Sequence, residues 1–284
     1  MNQKIIYFGK VIKLFSFNFL KKPKHGIRVT YTHEIKDEDL SNFEENIKFL
    51  LKDHTFISPE QFFEYLDNDK IPEEKVILMT FDDGFLSSYT AAKKILNNYN
   101  IKAIFFVPTG ILDLKSDSEM LHFTKHNVYF DTIDSKDLVP EEYRYMNLEQ
   151  LLDLKNDGHM ICPHTHSHTW IKNITNKEMV EKELVEPKRT VEKLMSTKVR
   201  AFAFPVGTEK QVSNYAYQNI YQNYDFCFTA LTGTNTVETN KYKLHRFNLP
   251  GDAPKSYLEM AINGVYDSYY KWKMSVLTKK IEQA

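Results

Sequence analysis

The chain has 284 residues, which is enough for one large barrel-type domain with a sizeable core or for two smaller domains. Its formal net charge of −1 argues against a nucleic-acid-binding protein, because such proteins usually carry a strongly basic face. The only cysteines, Cys162 and Cys227, provide no disulfide framework, and their scarcity fits a reducing compartment.

The first 22 residues place apolar side chains at helical spacing with lysines between them. Lys10 and Lys13 interrupt the apolar stretch, so we expect no membrane-spanning segment, and no small-residue cleavage site marks a signal peptide. Two interpretations stay open for residues 1–26. We favour an amphipathic segment packed on its own domain; the alternative is a helix on a membrane surface, with a peripheral contact through residues 1–22.

Short apolar runs alternate with amphipathic stretches along the chain. The predicted strands are Ile27–Tyr31, Val76–Phe81, Ala103–Val107, His159–Cys162, Val199–Phe204, Asp225–Ala230 and Lys243–Phe247. The predicted helices lie near residues 40–52, 59–67, 86–99, 147–156, 176–195 and 213–222. Strands separated by helices indicate βα units and a parallel sheet. We therefore expect a barrel-like α/β domain over residues 27–250 and a C-terminal helical extension over 251–284, with an open doubly wound sheet as the alternative.

One stretch, residues 113–144, is polar and rich in Asp, Glu and Lys, and it follows neither the helical nor the strand period well. A stretch of this length inside a compact domain is usually functional or mobile. Because it leaves the predicted strand Ala103–Val107 at its C-terminal end, we expect this insertion to border the mouth of an active site.

Three polar motifs stand at the C-terminal ends of predicted strands. They are Thr80–Gly84 (TFDDG), His164–His168 (HTHSH) and Phe204–Gly207 (FPVG). In α/β barrels the C-terminal ends of the strands lie at one rim, where active sites assemble. Motifs that are distant in sequence are therefore expected to meet in space.

These motifs contain the donors of a catalytic metal site. His164 and His168 are four residues apart, so a helical turn or a tight loop brings both to one face. Two imidazoles and the Asp83 carboxylate would bind a divalent ion and leave positions open for water and substrate. Asp82 would remain free to act as a base, and Gly84 would allow a sharp turn.

Each motif also has an ordinary interpretation when it is considered alone. An Asp-Asp-Gly sequence after a strand is usually a turn, and a His pair four apart is often a solvated helix face. His122 and His126 form such a pair inside the insertion with no Asp pair beside them, and we interpret them as structural or solvent-exposed. The conjunction of three motifs at strand ends favours a site.

At these residues the sequence resembles the polysaccharide deacetylases of the NodB-homology type, carbohydrate esterase family 4. The first motif of that family is similar to TFDDG, its His-(Ser/Thr)-X-X-His motif to HTHSH, and the FAYPYG form of its third motif to FAFPVG. That form occurs in the branch that includes poly-N-acetylglucosamine deacetylases. The flanking KAIFFVPTG also agrees, and the resemblance covers about residues 27–250. It implies a distorted (β/α) barrel, usually with fewer than eight strands, which agrees with the seven predicted here.

The resemblance implies roles for the motif residues. Asp83, His164 and His168 resemble the ligands of one divalent metal, expected to be Zn²⁺ with Co²⁺ or Ni²⁺ as alternatives, and Asp82 resembles the general base.

Further roles concern the loops around the ligands. Thr165 and Ser167 would hold the histidine loop by hydrogen bonds. Pro205, Val206 and Gly207 correspond to the oxyanion and substrate-binding turn, where the backbone N–H near Val206 is the donor.

Three positions depart from the family pattern. The Arg that orients the catalytic Asp in many members is replaced by Ala203, and Arg246 in KLHRF resembles a downstream Leu-X-Arg element that could substitute for it. An ordinary surface salt bridge is the alternative for Arg246. The Leu-X-His-Asp motif of the general acid is absent, so His245 is the one late candidate, although adjacent strand residues face opposite ways and Arg246 could point inward instead. Val206 replaces an aromatic residue.

The implied function is hydrolysis of an N-acetyl group from an amino sugar of a glycan or glycan precursor. A cytoplasmic location, at or near the inner membrane surface, and a role in surface polysaccharide biosynthesis are expected because no export signal is found. The alternatives are an N-formyl sugar deformylase and a non-catalytic carbohydrate-binding member of the same fold. A structural metal domain is disfavoured because structural zinc sites are closed and Cys-rich.

Overall fold

The computed structural model describes residues 25–210 and 213–282. Most of the N-terminal segment predicted over residues 1–26 therefore lies outside the described residues. The strands are β1 (Ile27–Tyr31), β2 (Thr55–Phe56), β3 (Val76–Phe81), β4 (Ala103–Val107), β5 (Met160–Pro163), β6 (Ala201–Ala203), β7 (Phe226–Phe228) and β8 (Phe247–Asn248). The α-helices are α1 (Leu40–Leu50), α2 (Pro59–Asp67), α3 (Leu86–Lys94), α4 (Asp117–Phe123), α5 (Leu148–Asn156), α6 (Lys177–Val180), α7 (Glu186–Met195), α8 (Asn214–Asn223), α9 (Lys255–Ile262) and α10 (Asp267–Glu282).

All strand pairs of the described chain are parallel. One sheet has the order β5-β4-β3-β1-β8, with β2 paired to β3, and β6 pairs with β7 in a second sheet. A parallel bridge from Phe228 to Leu244 links the second sheet to the segment that leads into β8. At least one α-helix separates each pair of successive strands from β1 to β7, whereas a helix-free loop connects β7 to β8. The prediction of a distorted (β/α) barrel is confirmed, and the C-terminal ends of its parallel strands lie at one rim.

Alternating side chains of the strands pack on two sides. In β3, Val76 and Leu78 belong to an inner cluster, whereas Ile77 and Met79 belong to the cluster that packs against the helices. All six residues of β3 are buried, and so are all five of β4. Because both faces of the sheet are buried, the sequences of these strands are continuous apolar runs.

Several helices begin at residues that satisfy their first backbone N–H groups. At α2, Ser58 accepts a hydrogen bond from the Gln61 backbone, and the Gln61 side chain accepts one from the Ser58 backbone. The same arrangement begins α4 at Ser116 and α5 at Asn147. These caps fix the residues at which the three helices begin.

Two predicted elements need correction. A strand over Lys243–Phe247 is wrong: β8 begins only at Phe247, because Leu244 forms just an isolated bridge to β7 and the Arg246 backbone donates to the Leu231 carbonyl in a loop. The single helix predicted over residues 176–195 is interrupted by a π-turn at Glu181–Val185. The two-residue strand β2 was too short for a sequence pattern to reveal.

A buried cation attaches the C-terminal helices to the barrel. Arg28 of β1 donates to both carboxylate oxygens of Asp267, at 3.0 and 2.9 Å, and also to the Thr234 hydroxyl and the Ala261 carbonyl. Its guanidinium lies 5.2 Å from the centre of the Phe247 ring. Among the described helices, none is long and apolar enough to cross a membrane.

Replacing Arg28 by Met should lower the free energy of unfolding by about 1–3 kcal/mol, because buried acceptors lose their donor. Urea denaturation measures the change. Arg189→Met is the matched control, since the ion pairs of Arg189 with Glu181 and Glu186 are exposed and its loss should leave the midpoint nearly unchanged. Equal shifts in the two variants would contradict the anchoring role of Arg28.

Candidate active site

The motif residues converge at the C-terminal rim of the strands. Asp82 and Asp83 follow β3, and the histidine loop follows β5. Together with Arg246 they line a cavity of about 340 Å³. The expected meeting of distant motifs is therefore present.

Asp83, His164 and His168 form a buried group that could hold a metal ion. Their nearest ligand atoms all lie within 4.8 Å of one another. The Asp83 Oδ1 atom is 3.6 Å from His164 Nε2 and 3.2 Å from His168 Nε2. All three side chains are nearly inaccessible to solvent.

Backbone carbonyls orient both imidazoles. The Nδ1 atom of His164 lies 2.8 Å from the Ala203 carbonyl oxygen, and that of His168 lies 2.7 Å from the Asn127 carbonyl oxygen. A carbonyl only accepts, so each Nδ1 must carry the proton, and each Nε2 faces Asp83. Asp83 Oδ1 is buried and has no hydrogen-bond partner among the described residues. The group fits a cation at its centre.

The charges of the three residues lead to the same conclusion. Burial lowers the pKa of His164 to about 4, so this imidazole is neutral at pH 7. Burial also lowers the pKa of His168, but the Asp83 carboxylate more than offsets this effect and the net shift is upward. Burial raises the pKa of Asp83, whereas the histidines lower it by more. Positive charge beside Asp83 therefore stabilises its carboxylate, and a divalent cation held by the three residues would supply such a charge.

The backbone around the site is in the left-handed region at several residues other than glycine. The φ angle is 69° at Asp83, 62° at Thr165, 55° at His168 and 62° at Val206. Such conformations are unusual, above all for β-branched residues, and they cluster at functional sites. Each motif therefore holds its side chains at a cost in local backbone energy.

Arg246 holds the second aspartate. Its Nη1 and Nη2 atoms donate to Oδ1 and Oδ2 of Asp82 at 2.7 and 2.8 Å. Nη1 also donates to the Thr80 hydroxyl at 3.0 Å, and Nε donates to the Thr229 carbonyl at 2.9 Å. The two charged side chains are 1% and 4% exposed, so this is a buried two-point ion pair and not a rim salt bridge.

A buried carboxylate organises the histidine loop. Glu183 Oε2 accepts from the backbone N–H groups of His166 and Ser167, and Oε1 accepts from the Ser167 hydroxyl at 2.9 Å. The Thr165 hydroxyl accepts from the Thr169 backbone at 3.1 Å. The side chains of Thr165 and Ser167 thus each form a hydrogen bond at the histidine loop.

The third motif forms a tight turn at the cavity wall. Pro205 is buried, whereas Val206 is 37% exposed and lines the cavity. Gly207 has a φ of 57°, and a side chain there would place its Cβ 2.5 Å from the Ala230 nitrogen. Glycine is therefore required for the close approach that positions Val206.

His245 does not face the cavity. Its Nδ1 atom lies 3.1 Å from the Leu231 carbonyl oxygen, and its ring packs on Gly233. Arg246, the next residue, points into the cavity instead. Adjacent residues of an extended segment face opposite ways, and this geometry corrects the expectation that His245 acts as general acid.

The insertion contacts the site directly. The Asn127 side chain donates to the Ser167 carbonyl at 2.8 Å, in addition to the contact of its own carbonyl with His168. Val128 and Tyr129 line the cavity. By contrast, His122 and His126 are exposed, with His126 2.7 Å from Asp131, and they lie outside the ligand group.

Sequence reasoning missed part of the cavity wall. His33, whose Nε2 lies 4.0 Å from Asp83 Oδ2, and Glu34 follow β1 at the same rim. Burial raises the pKa of Glu34, which accepts a hydrogen bond from the Tyr129 hydroxyl at 3.2 Å. The sequence did contain a signal for His33 and Glu34, because they follow β1 as Asp82 and Asp83 follow β3. No such signal pointed to Glu183 or Asn127.

Known proteins resemble this chain in sequence and fold. YxkH of Bacillus subtilis (strain 168), described as a polysaccharide deacetylase, is 24% identical over 222 residues, which cover 76% of this chain and 68% of that protein. The Streptococcus pyogenes deacetylase PplD, solved with acetate, shares 20% identity and a TM-score of 0.65 over 85% of this chain and 99% of its own. IcaB from Ammonifex degensii shares 19% sequence identity with this chain and has a TM-score of 0.64. The match covers 84% of this chain and 97% of IcaB.

The family model described as Polysaccharide deacetylase matches residues 69–224, which is more than half of the chain. The matched region contains the TFDDG, HTHSH and FPVG motifs that build the cavity. The chain belongs to the polysaccharide deacetylase family.

Proposed function

We propose that this protein is a metal-dependent carbohydrate deacetylase that removes an N-acetyl group from an amino sugar of a glycan or glycan precursor. The observation that carries the proposal is that two neighbouring carboxylates, those of Asp82 and Asp83, have different partners. Asp83 faces two imidazoles without a hydrogen-bond partner on Oδ1, whereas Asp82 is held by Arg246. One aspartate is available as a ligand and the other as a base.

We assign the ligand roles to Asp83, His164 and His168, with Zn²⁺ as the proposed ion. Two neutral nitrogen donors and one oxygen donor suit zinc, and Co²⁺ or Ni²⁺ accept the same donors. When bound, the ion would lower the pKa of water and polarise the acyl carbonyl. The carbonyls of Ala203 and Asn127 keep both Nε2 atoms pointed at this position.

The remaining chemistry belongs to side chains and backbone of this chain. In the proposal Asp82 accepts the proton of the attacking water, and Arg246 aims the carboxylate by contacting both of its oxygens. The Val206 backbone N–H, on the exposed turn at the cavity wall, donates to the developing oxyanion.

The position of Arg246 supports an enzyme over a non-catalytic binding protein. The best sequence argument for the binding protein was Ala203, which stands where related enzymes carry an arginine. Arg246 brings a guanidinium to Asp82 from the segment that leads into β8. A binding protein gains nothing from a buried base that is oriented by two hydrogen bonds, since burying such a pair is costly.

Each chain should bind one Zn²⁺. Loss of a residue that only supports a metal ligand typically weakens metal affinity by about 10–100-fold. His164→Ala or His168→Ala removes a proposed ligand itself and should therefore weaken Zn²⁺ binding by more than that. Metal content after dialysis and calorimetric titration measure this without a substrate. His126→Ala is the matched control, because that exposed imidazole lies outside the ligand group. Unchanged affinity in the first two variants would contradict the assigned ligands.

With added Zn²⁺ the protein should release acetate from a member of a panel of N-acetylated oligosaccharides, lipid-linked sugars and nucleotide sugars. Asp82→Asn should keep the metal and lower turnover by about 10²–10⁴-fold, as expected for loss of a general base. Because this change also leaves a buried guanidinium without its counter-charge, turnover is normalised to folded protein. Formate release from N-formyl substrates alone would favour the deformylase, and undiminished turnover of Asp82→Asn would reject Asp82 as the base.

Arg246→Lys should lower kcat at least about tenfold, because lysine cannot make the two-point contact and small misplacements of a base are costly. Metal binding should persist, since Arg246 touches no proposed ligand. His245→Asn is the control next to it in sequence: its side chain faces the loop at Leu231, so kcat should change little. Measuring kcat for both variants tests the role of Arg246. A larger loss of kcat in His245→Asn than in Arg246→Lys would contradict the assignment of Arg246 as the residue that orients Asp82.

A further inference from the structure

The aromatic ring of Phe130 packs against one of the proposed metal ligands. Phe130 belongs to the insertion, and its ring is stacked on the His168 imidazole with 5.7 Å between the ring centres and 28° between the ring planes. The ring of Trp170, which follows the histidine loop, lies edge-on to Phe130 at 4.6 Å between the ring centres. His168 lines the cavity, whereas Phe130 is not among the described residues that do. Phe130 therefore influences the cavity through His168.

The backbone at Phe130 adopts a conformation that a bulky residue rarely takes. Its φ angle is 49°, and that of the next residue, Asp131, is 59°. Both angles lie in the left-handed region, which glycine adopts at no steric cost. Such conformations at other residues cluster at functional sites, where the surrounding contacts hold them. The presence of an aromatic residue at this position therefore points to a use for its ring.

A short loop brings Phe130 back toward the histidine. The loop closes where the Asp131 N–H donates to the Lys125 carbonyl at 2.9 Å. Asn127 lies between these two residues, and its carbonyl oxygen is 2.7 Å from His168 Nδ1. The same loop thus contacts His168 at the Nδ1 atom and, through Phe130, at the face of the imidazole ring.

These two contacts restrict different motions of the imidazole. A hydrogen bond at Nδ1 fixes the tautomer and the direction in which Nε2 points, but the ring can still rock about that bond. A second ring on the face of the imidazole opposes this rocking, and aromatic pairs at such a separation attract each other beyond the effect of buried area. The His168 Nε2 atom is thereby kept facing Asp83 Oδ1, which lies 3.2 Å away.

Building on the metal-dependent function proposed above, we propose that Phe130 is a positioning residue of the metal site. Its ring fixes the plane of the His168 imidazole, so that Nε2 stays directed at the position shared with Asp83 and His164. An imidazole that is already aimed loses less conformational freedom on binding, and this preorganisation raises affinity. The insertion therefore sets the affinity for the metal in addition to lining the cavity.

Phe130→Gly separates the effect of the ring from that of the backbone. Glycine adopts a φ of 49° without steric cost, so this change removes the ring and relieves the backbone at the same time. It should weaken Zn²⁺ binding by about 10–100-fold, the range typical for loss of a residue that supports a metal ligand. Phe130→Tyr keeps an aromatic ring on the same backbone and should bind Zn²⁺ almost as tightly as the wild type. Calorimetric titration of the metal-free proteins with Zn²⁺ measures both.

Phe123→Leu is the matched control in the same insertion. Phe123 is buried, and its ring packs edge-on against Tyr145 with 5.6 Å between the ring centres. The change should lower the unfolding midpoint, because buried contacts are lost, and should leave the Zn²⁺ affinity unchanged. Loading with Co²⁺ gives a second readout, since its visible absorption depends on the arrangement of the ligands. The absorption bands should shift in Phe130→Gly and stay in place in Phe123→Leu.

The results distinguish failure of this proposal from failure of the proposed function. Absence of Zn²⁺ binding in the wild-type protein would contradict the ligand roles and this inference with them. If the wild type binds Zn²⁺, an unchanged affinity in Phe130→Gly would overturn the role of Phe130 alone. Equal weakening in Phe130→Gly and Phe123→Leu would also overturn it, because it would show a general loosening of the insertion. The expected result is weakening in Phe130→Gly with affinity retained in Phe130→Tyr and Phe123→Leu.

Discussion

The buried ion pair between Arg246 and Asp82 is the interaction on which the site depends. Arg246 is among the largest fully buried side chains of the described chain, and isolated burial of its charge would be prohibitive. Two carboxylate oxygens, the Thr229 carbonyl and the Thr80 hydroxyl satisfy its donors, and the ring of Tyr31 lies 5.0 Å away. Because these partners stand at the ends of different strands, the same contacts that neutralise the charge also tie the rim together.

The ligand group depends in turn on elements that come from far along the chain. Its two imidazoles are oriented by backbone carbonyls, one at Ala203 on β6 and the other at Asn127 in the insertion. The ladders of the two sheets are separate between β5 and β6 in the described chain, so the His164–Ala203 contact spans this gap. A site that also stabilises the barrel explains why left-handed backbone is retained at three of its motifs.

The predictable part of this molecule follows from local pattern. The bounds of β1, β3 and β4 agree with the sequence analysis because burial on both faces makes each a continuous apolar run between polar ends. Because active sites of α/β barrels assemble at the C-terminal ends of the strands, the positions of Asp82, Asp83 and the two histidines directly after strands then predicted the site. Asn127 and Glu183 escaped prediction because a backbone carbonyl has no sequence signature, and a buried glutamate in a helical stretch looks like an exposed one. The sequence could not decide which of the two adjacent residues His245 and Arg246 faces the cavity, because that depends on the directions of their side chains.

The charge of the proposed ligand set bears on the proposed hydrolysis of an amide. Two neutral imidazoles and one carboxylate would leave a divalent cation with a net positive charge, and Asp82 adds no net charge because Arg246 cancels it. The cavity would therefore favour the negative charge that develops on an acyl oxygen. Glu34 lines the same cavity and adds carboxyl oxygens that can accept hydrogen bonds. One small cavity thus combines a position that would favour developing negative charge with acceptors for hydrogen-bond donors, and a substrate that carries both a carbonyl and hydroxyl groups would match both features.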